Sequence, residues 1–394
     1  MATKPQQGRV LFGALVATTC LWPSIGRAEI IKFKDMRRGT TATASECAAH
    51  PYAVWVTAYG RGICMRYYFS DAGGSGKQAT IFLNGDKPGT MPGQMVKPEE
   101  VKDTDTDVME RRVREISRTM DQPAIYMARM GLDGSSGHHA QRRTKLELHV
   151  TNAAIDAIKR RHGFTDLNMY GQSGGASLVG ALLSMRTDIN CAVPGSGRLV
   201  ANANAIKRNN STTDPALHIM NPYDGIPVIV QRSRAKIMVV TDPRDEAVTR
   251  DHQDPFVHSL LRAGRQVEQY YVNASDPKHH GVAKYALAVT RECVRGSTHD
   301  QIARVLADVE QKIQTAQPTP NRTPEHRGPT PPLATPKPTQ PAPAPARPEV
   351  RYAAPQEPPR PSARQAQPIE PAAPPKECRT YFPLVGKNVT VPCA

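Results

Sequence analysis

The sequence predicts an α/β protein, with a mostly parallel central sheet, helices on both faces, an antiparallel hairpin at one edge and a disordered proline-rich tail. Three observations carry this expectation. Short apolar runs stopped by glycine and asparagine alternate with segments of helical periodicity, which is the pattern of βα units. An earlier pair of β-branched and aromatic runs flanks Gly60-Arg61-Gly62, as a hairpin requires. Finally, more than half of the 36 prolines in the 394 residues follow Gln317, and such a segment favours extended, solvated backbone over a packed core.

Taken in order, Val54 to Tyr59 and Ile63 to Phe69 form the expected hairpin at the sheet edge. Ala79 to Leu83, stopped by Asn84-Gly85-Asp86, and Ala124 to Ala128, stopped by a glycine-rich loop, read as buried parallel strands. Lys145 to Arg161 sets Leu146, Leu148, Val150, Ala153, Ala154, Ile155 and Ile158 mostly on one face of a helix. Leu167 to Tyr170 is a short strand, and the run from Ala176 to Met185 is the helix after it. Further strands are expected at Ala192-Val193, Lys236 to Val240 and Val267 to Val272, and further helices at Pro255 to Ala263, Val282 to Cys293 and Gln301 to Ile313. Ala201 to Pro227 has little periodicity and is expected to be a lid or long loop over the site.

The expected division is a signal peptide over 1–28, one folded domain over 29–316, a disordered linker over 317–377 and a short C-terminal segment over 378–394. Lys4 and Arg9 precede an apolar run from Val10 to Trp22, with small residues Gly26 and Ala28 after it, as an export leader requires. The run is interrupted by Gly13, Thr18, Thr19 and Cys20 and is shorter than the ~20 apolar residues of a bilayer span. A lipid anchor at Cys20 is the minor reading, since Thr19 sits where Gly, Ala or Ser is wanted. The expected location is therefore periplasmic or secreted. Past the leader, Cys47, Cys64, Cys191, Cys293, Cys378 and Cys393 are even in number and suited to disulfides in an oxidising compartment. Six cysteines allow 15 pairings, of which Cys47 with Cys64 and Cys378 with Cys393 close the shortest loops. None has the spacing of a zinc site. The net charge of +15 is scattered and accompanied by no recognition motif. That argues against specific nucleic-acid binding and for weak association with anionic cell-envelope surfaces.

The chemistry is carried by Gly171-Gln172-Ser173-Gly174-Gly175, a G-x-S-x-G sequence between a predicted strand and a predicted helix. A cramped strand-to-helix bend needs residues without Cβ on either side of the serine, and the helix after it aims backbone N–H groups at a developing oxyanion. With this motif central in a βαβα series, the chain resembles the α/β-hydrolase family over about Val54 to Ile313. The resemblance implies a serine, acid, histidine order with no metal or cofactor. Ser173 is then the nucleophile. The stretch Thr241-Asp242-Pro243-Arg244-Asp245-Glu246-Ala247-Val248 looks like the family's acid loop, and the valine three residues on selects Asp245, with Asp242 as the alternative. Asp276-Pro277-Lys278-His279-His280-Gly281 supplies the histidine: His280, just before glycine, or else His279. The resemblance gives the oxyanion hole to the N–H of Gly174 and to a donor from the loop of Gly85 and Asp86, where Asn84 replaces the family's usual histidine. His138-His139 precedes the serine in the chain, the wrong order for a triad, and is expected to be solvated or to touch substrate.

The activity so implied is that of an exported serine hydrolase acting on carboxylic esters or peptide bonds of small substrates. The GQSGG context resembles dienelactone-hydrolase-like and prolyl-oligopeptidase-like members. No β-propeller precedes the domain, which favours a small esterase. The alternative is a noncatalytic envelope-binding protein on the same fold. Oligomeric state is unreadable.

Overall fold

In the computed structural model the described residues are 29–71, 76–90, 94–97 and 101–315, together with the backbone of 377–382 and 387–392. The expected leader, the proline-rich linker and the pairing of Cys378 with Cys393 lie outside them. The chain divides into two units, residues 1–323 and 324–394.

The first unit is built on an eight-stranded sheet. Its strands are β1 (Ala53–Ala58), β2 (Arg61–Ser70), β3 (Gln78–Leu83), β4 (Ala124–Met127), β5 (Asp166–Gln172), β6 (Ile189–Gly195), β7 (Lys236–Thr241) and β8 (Val267–Tyr271). They lie in the order β8-β7-β6-β5-β3-β4-β2-β1. From β8 to β4 every neighbour is parallel; β2 is antiparallel to both β4 and β1. The expected hairpin therefore forms one edge. Its turn has positive φ at Tyr59 (50°) and Gly60 (72°), the backbone that a two-residue hairpin needs to match strand twist.

Helices cover both faces because successive strand residues point to opposite sides. On one face Ile81, Met127, Met169, Ala192 and Ile237 pack with α2 (Lys145–His162), α3 (Gly174–Leu182) and α6 (Asp254–Arg262). On the other, Phe82, Tyr126, Tyr170, Val193 and Met238 meet α1 (Thr106–Met120), α7 (Ala283–Arg295) and α8 (His299–Thr315). Helix α1 was not anticipated. Its apolar Met109, Val113, Ile116 and Met120 are spaced for a single buried stripe, but the residues between them are densely charged. Asp105 caps it by accepting from the Asp107 N–H.

The stretch from Ala201 to Pro227, expected to be a lid or long loop, carries the short helix α4 (Ala203–Asn209) and 3-10 turns at Pro215–Leu217 and Pro222–Gly225, and a second short helix, α5 (Ile226–Arg232), begins at its end. The reason is local chemistry rather than periodicity. Asn202 accepts from the N–H groups of Asn204 and Ala205, and Asp214 caps a turn whose first position is proline.

Among the described residues two disulfides are formed, Cys47–Cys64 and Cys191–Cys293. The first is the expected short loop. The second ties β6 to α7 across a separation of 102 residues, a closure worth about 4.7 kcal/mol in the chain-entropy picture. No helix among the described residues is long and apolar enough to cross a membrane. In the second unit, β9 (Glu377–Phe382) pairs antiparallel with β10 (Lys387–Pro392).

Candidate active site

Ser173 stands between β5 and α3 with φ 55° and ψ −119°, a backbone region that L-residues rarely occupy. The surrounding glycines explain how the bend closes. A Cβ on Gly171 would lie 2.6 Å from the carbonyl of Gly175, and one on Gly175 would lie 2.1 Å from the carbonyl oxygen of Leu83. Neither position has room for a side chain, so the motif is a packing requirement as well as a sequence pattern. The Ser173 N–H donates to Gly195 O at 3.0 Å, and Ser177 N–H returns to Ser173 O at 3.1 Å to start α3.

Beyond β7 and β8 two acids and two histidines meet in two separate pairs. His280 Nδ1 lies 2.8 Å from Asp245 Oδ2. The other oxygen of Asp245 accepts from the N–H groups of Ala247 and Val248, both at 2.8 Å, so the residues following the acid build the turn that fixes it. Asp242 is fully buried but differently engaged. It accepts from the Arg244 side chain at 2.9 and 3.1 Å and from the Ala274 N–H at 2.7 Å. Burial alone would raise its pKa; the Arg244 hydrogen bonds and charge outweigh that and hold it below the usual carboxylate range. His279 Nδ1 is 3.9 Å from Asp242 Oδ2 and 3.1 Å from Ala274 O.

A link that sequence reasoning did not supply joins the histidine loop to the serine. Gln172 Nε2 donates to His280 O at 2.5 Å, and Gln172 Oε1 accepts from the Val282 N–H at 3.0 Å. One amide thus holds both sides of the loop against the residue preceding Ser173. Only its place in the motif pointed to it.

Of the oxyanion-loop residues, Gly85 packs on the serine, where a Cβ would come within 3.2 Å of Ser173 Cβ. Its N–H is turned to Asn84 Oδ1 at 2.9 Å, while Asn84 Nδ2 donates to Tyr126 OH at 3.0 Å. The Asp86 side chain sits against Gly174, whose added Cβ would fall 2.2 Å from Oδ1.

That carboxylate opens a buried ionic network, also unanticipated. Arg129, 1% exposed, donates to Asp86 Oδ1 at 2.6 Å and to both oxygens of Glu147 at 2.9 and 3.1 Å. Arg142 Nε reaches Asp86 Oδ2 at 3.0 Å, Arg143 Nη2 at 3.4 Å, and His139 Nε2 lies 3.6 Å from Oδ1. Burial pushes the Asp86 pKa up, but Arg129, with His139 and Arg143, overrides it and holds the carboxyl well below its ordinary range. His139 is completely buried, which corrects the expectation of a solvated histidine; His138 accepts from the Ala140 N–H at 2.9 Å. The signal for the network was faint. Arg129 is a charge directly after an apolar strand, and Thr144-x-x-Glu147 reads as a helix cap, whose glutamate turns to Arg129.

A parallel sheet flanked by an antiparallel hairpin, with a serine lifted on a glycine-cramped bend after its central strand, is distinctive. The fold is that of the α/β-hydrolases. Solved structures similar to this chain include Est1E from Butyrivibrio proteoclasticus with ferulic acid bound, at 15% identity over 62% of this chain and 99% of that one, with a TM-score of 0.41. The Pyrococcus furiosus esterase Pf2001 is similar at 13% identity over 66% and 97%, with a TM-score of 0.45. The Pyrococcus horikoshii acylaminoacyl peptidase is similar at 12% identity over 67% of this chain and 41% of its own, with a TM-score of 0.39. No protein-family model and no curated protein matches the sequence.

Proposed function

We propose that the protein is an exported serine hydrolase that cleaves carboxylic esters or peptide bonds of small substrates through an acyl-enzyme on Ser173. The observation that carries this reading is the continuous linkage Asp245–His280–Gln172–Ser173, in which a 2.8 Å carboxylate–imidazole pair is tied by a neighbouring amide to a serine at φ 55°. Asp245 on Nδ1 fixes the imidazole tautomer and leaves Nε2 to take the Ser173 proton as the serine attacks the carbonyl. The N–H groups of Gly174 and Asp86 receive the oxyanion. Collapse expels the alcohol or amine, protonated by His280, and water activated by the same ring then releases the acid. Export is supported by the leader-like N-terminal sequence and by two disulfides, which persist in oxidising compartments.

The test is labelling of the full chain with a fluorophosphonate. The wild type takes one label and Ser173→Ala takes none. Label that persists in the variant removes Ser173, and unlabelled but folded wild type leaves the binding-protein alternative.

A further inference from the structure

Next to the serine bend, the first turn of α3 opens on a cavity of about 300 Å³ that includes Ser177 in its wall. Ser177 is one helical turn beyond Ser173, about 6 Å along the helix axis, and its hydroxyl lies 3.4 Å from Ser173 O. Arg142, Arg143 and Arg198 form the cationic side of the cavity; Ile219 and Met220 are among its apolar residues.

These arginines exceed what their neighbours neutralise. Four guanidinium groups, on Arg129, Arg142, Arg143 and Arg198, meet two carboxylates, those of Asp86 and Glu147, and Glu147 is taken up by Arg129 in a two-pronged pair. Arg198 has no carboxylate partner among the described residues. Its backbone N–H donates to Ser177 Oγ at 3.0 Å, its Nη2 reaches Ala247 O at 3.5 Å, and its buried Nε has no acceptor among the described residues. A buried guanidinium N–H without an acceptor is costly unless a ligand supplies one.

The backbone also holds the arginines in place. Arg143 has φ 56°, a strained conformation for a long side chain. It is kept by Glu147, which accepts from its N–H, and by the Met220 N–H, which donates to its carbonyl at 2.9 Å. The arginine turn and the apolar wall are thereby stitched together.

We propose that this cavity is the specificity subsite of the hydrolase and accepts a short aliphatic chain ending in an oxyanion, carboxylate or phosphate, next to the bond to be cleaved. The inference rests on the serine-hydrolase reading for its purpose but not for its binding chemistry. Guanidinium groups pair with planar or tetrahedral oxyanions through charge-assisted hydrogen bonds, and the alkyl wall removes the linking methylenes from water.

Binding and turnover test it separately. In full-length Ser173→Ala, calorimetry with glutarate and with propyl phosphate detects one site, and the tighter probe identifies the oxyanion. Arg198→Gln weakens that binding about 30-fold, the size expected for a charge-assisted pair, and Arg198→Lys restores part of it. Ala201→Glu places a carboxylate in the same cavity and abolishes binding without removing any of the arginines, which keeps the test decisive should the Arg198 variant fold poorly. In enzyme retaining Ser173, the ratio of kcat/KM for mono-p-nitrophenyl glutarate to that for p-nitrophenyl butyrate falls by a similar factor in Arg198→Gln. Failure of both probes to bind, or undiminished binding in both cavity variants, overturns the subsite. Fluorophosphonate labelling reports on the other reading alone: binding without labelling removes the serine and keeps the anion site, and labelling without binding does the reverse.

Discussion

Asp245 with His280 and Asp242 with His279 are the same two residue types, three and one positions apart in sequence, yet their surroundings divide them. Asp245 spends one oxygen on two backbone N–H groups and keeps the other for an imidazole at 2.8 Å. Asp242 is saturated by Arg244 and by backbone, and its histidine stays 3.9 Å away with Nδ1 nearer a carbonyl. A buried acid that carries its own arginine is satisfied without an imidazole. One that is anchored by backbone alone retains a lone pair to orient a ring. Among the described residues the two acids thus differ in a neighbouring guanidinium, which Asp242 has and Asp245 does not.

The hardest test of this contrast is the histidine pair. His280→Ala lowers kcat for a p-nitrophenyl ester by about 10⁵-fold or more, the scale on which loss of a triad base is measured, whereas His279→Ala changes it by less than about tenfold. Equal losses in steady-state assays of the two variants would erase the distinction.

The acids sharpen it in two dimensions. Asp245→Asn lowers kcat about 10⁴-fold by releasing the ring to the wrong tautomer, with little change in melting temperature. Asp242→Asn does the opposite. It costs about 2 kcal/mol of stability by removing an acceptor shared by Arg244 and the Ala274 N–H and leaves most of the activity. Denaturant titration alongside kinetics separates the two.

Asp86 extends the Asp242 pattern to the other side of the serine, with three arginines in place of one. Asp86→Asn leaves Arg129, Arg142 and Arg143 short of an acceptor and costs about 3 kcal/mol. The sign with pH follows from its depressed pKa: relative to an ordinary value of 3.8, its contribution is complete above about that pH and is lost as pH falls through the lower folded value. Wild type therefore loses stability steeply below about pH 4, and urea midpoints of Asp86→Asn show a shallower decline over that window.

What the sequence made legible divides along the same line. Strand, bend and helix around Ser173 are written locally, in glycines whose Cβ atoms would collide with backbone, and the apolar runs locate the loops that carry Asp245 and His280, which the family resemblance singles out. The hairpin, the parallel run of strands and the last three helices are likewise read from periodicity. Long-range ionic choices are not. Nothing adjacent to Arg129 announces Glu147 or Asp86 as partners, and the pairing of Cys191 with Cys293 depends on α7 folding back over β6. Helix α1 was hidden by its charges although its apolar spacing was present. The short helices near the cavity arise from caps and prolines, signals too local to survive a search for amphipathic faces.

Gln172 is the point at which local and long-range information meet. Its position is fixed by the bend motif, but its hydrogen bonds reach a loop more than a hundred residues away. Removing the amide leaves Ser173, His280 and Asp245 chemically intact and takes away two hydrogen bonds that hold the His280 loop. Gln172→Ala accordingly lowers kcat about 30-fold through misplacement of the ring, with KM nearly unchanged, and Gln172→Glu, which keeps the acceptor for Val282 but loses the donor to His280, falls between. A merely structural role would lower stability and leave kcat of the folded fraction alone. Kinetics normalised to fluorophosphonate-titrated sites distinguishes these outcomes, and an unchanged kcat per labelled site would show that the two loops hold their register without the amide.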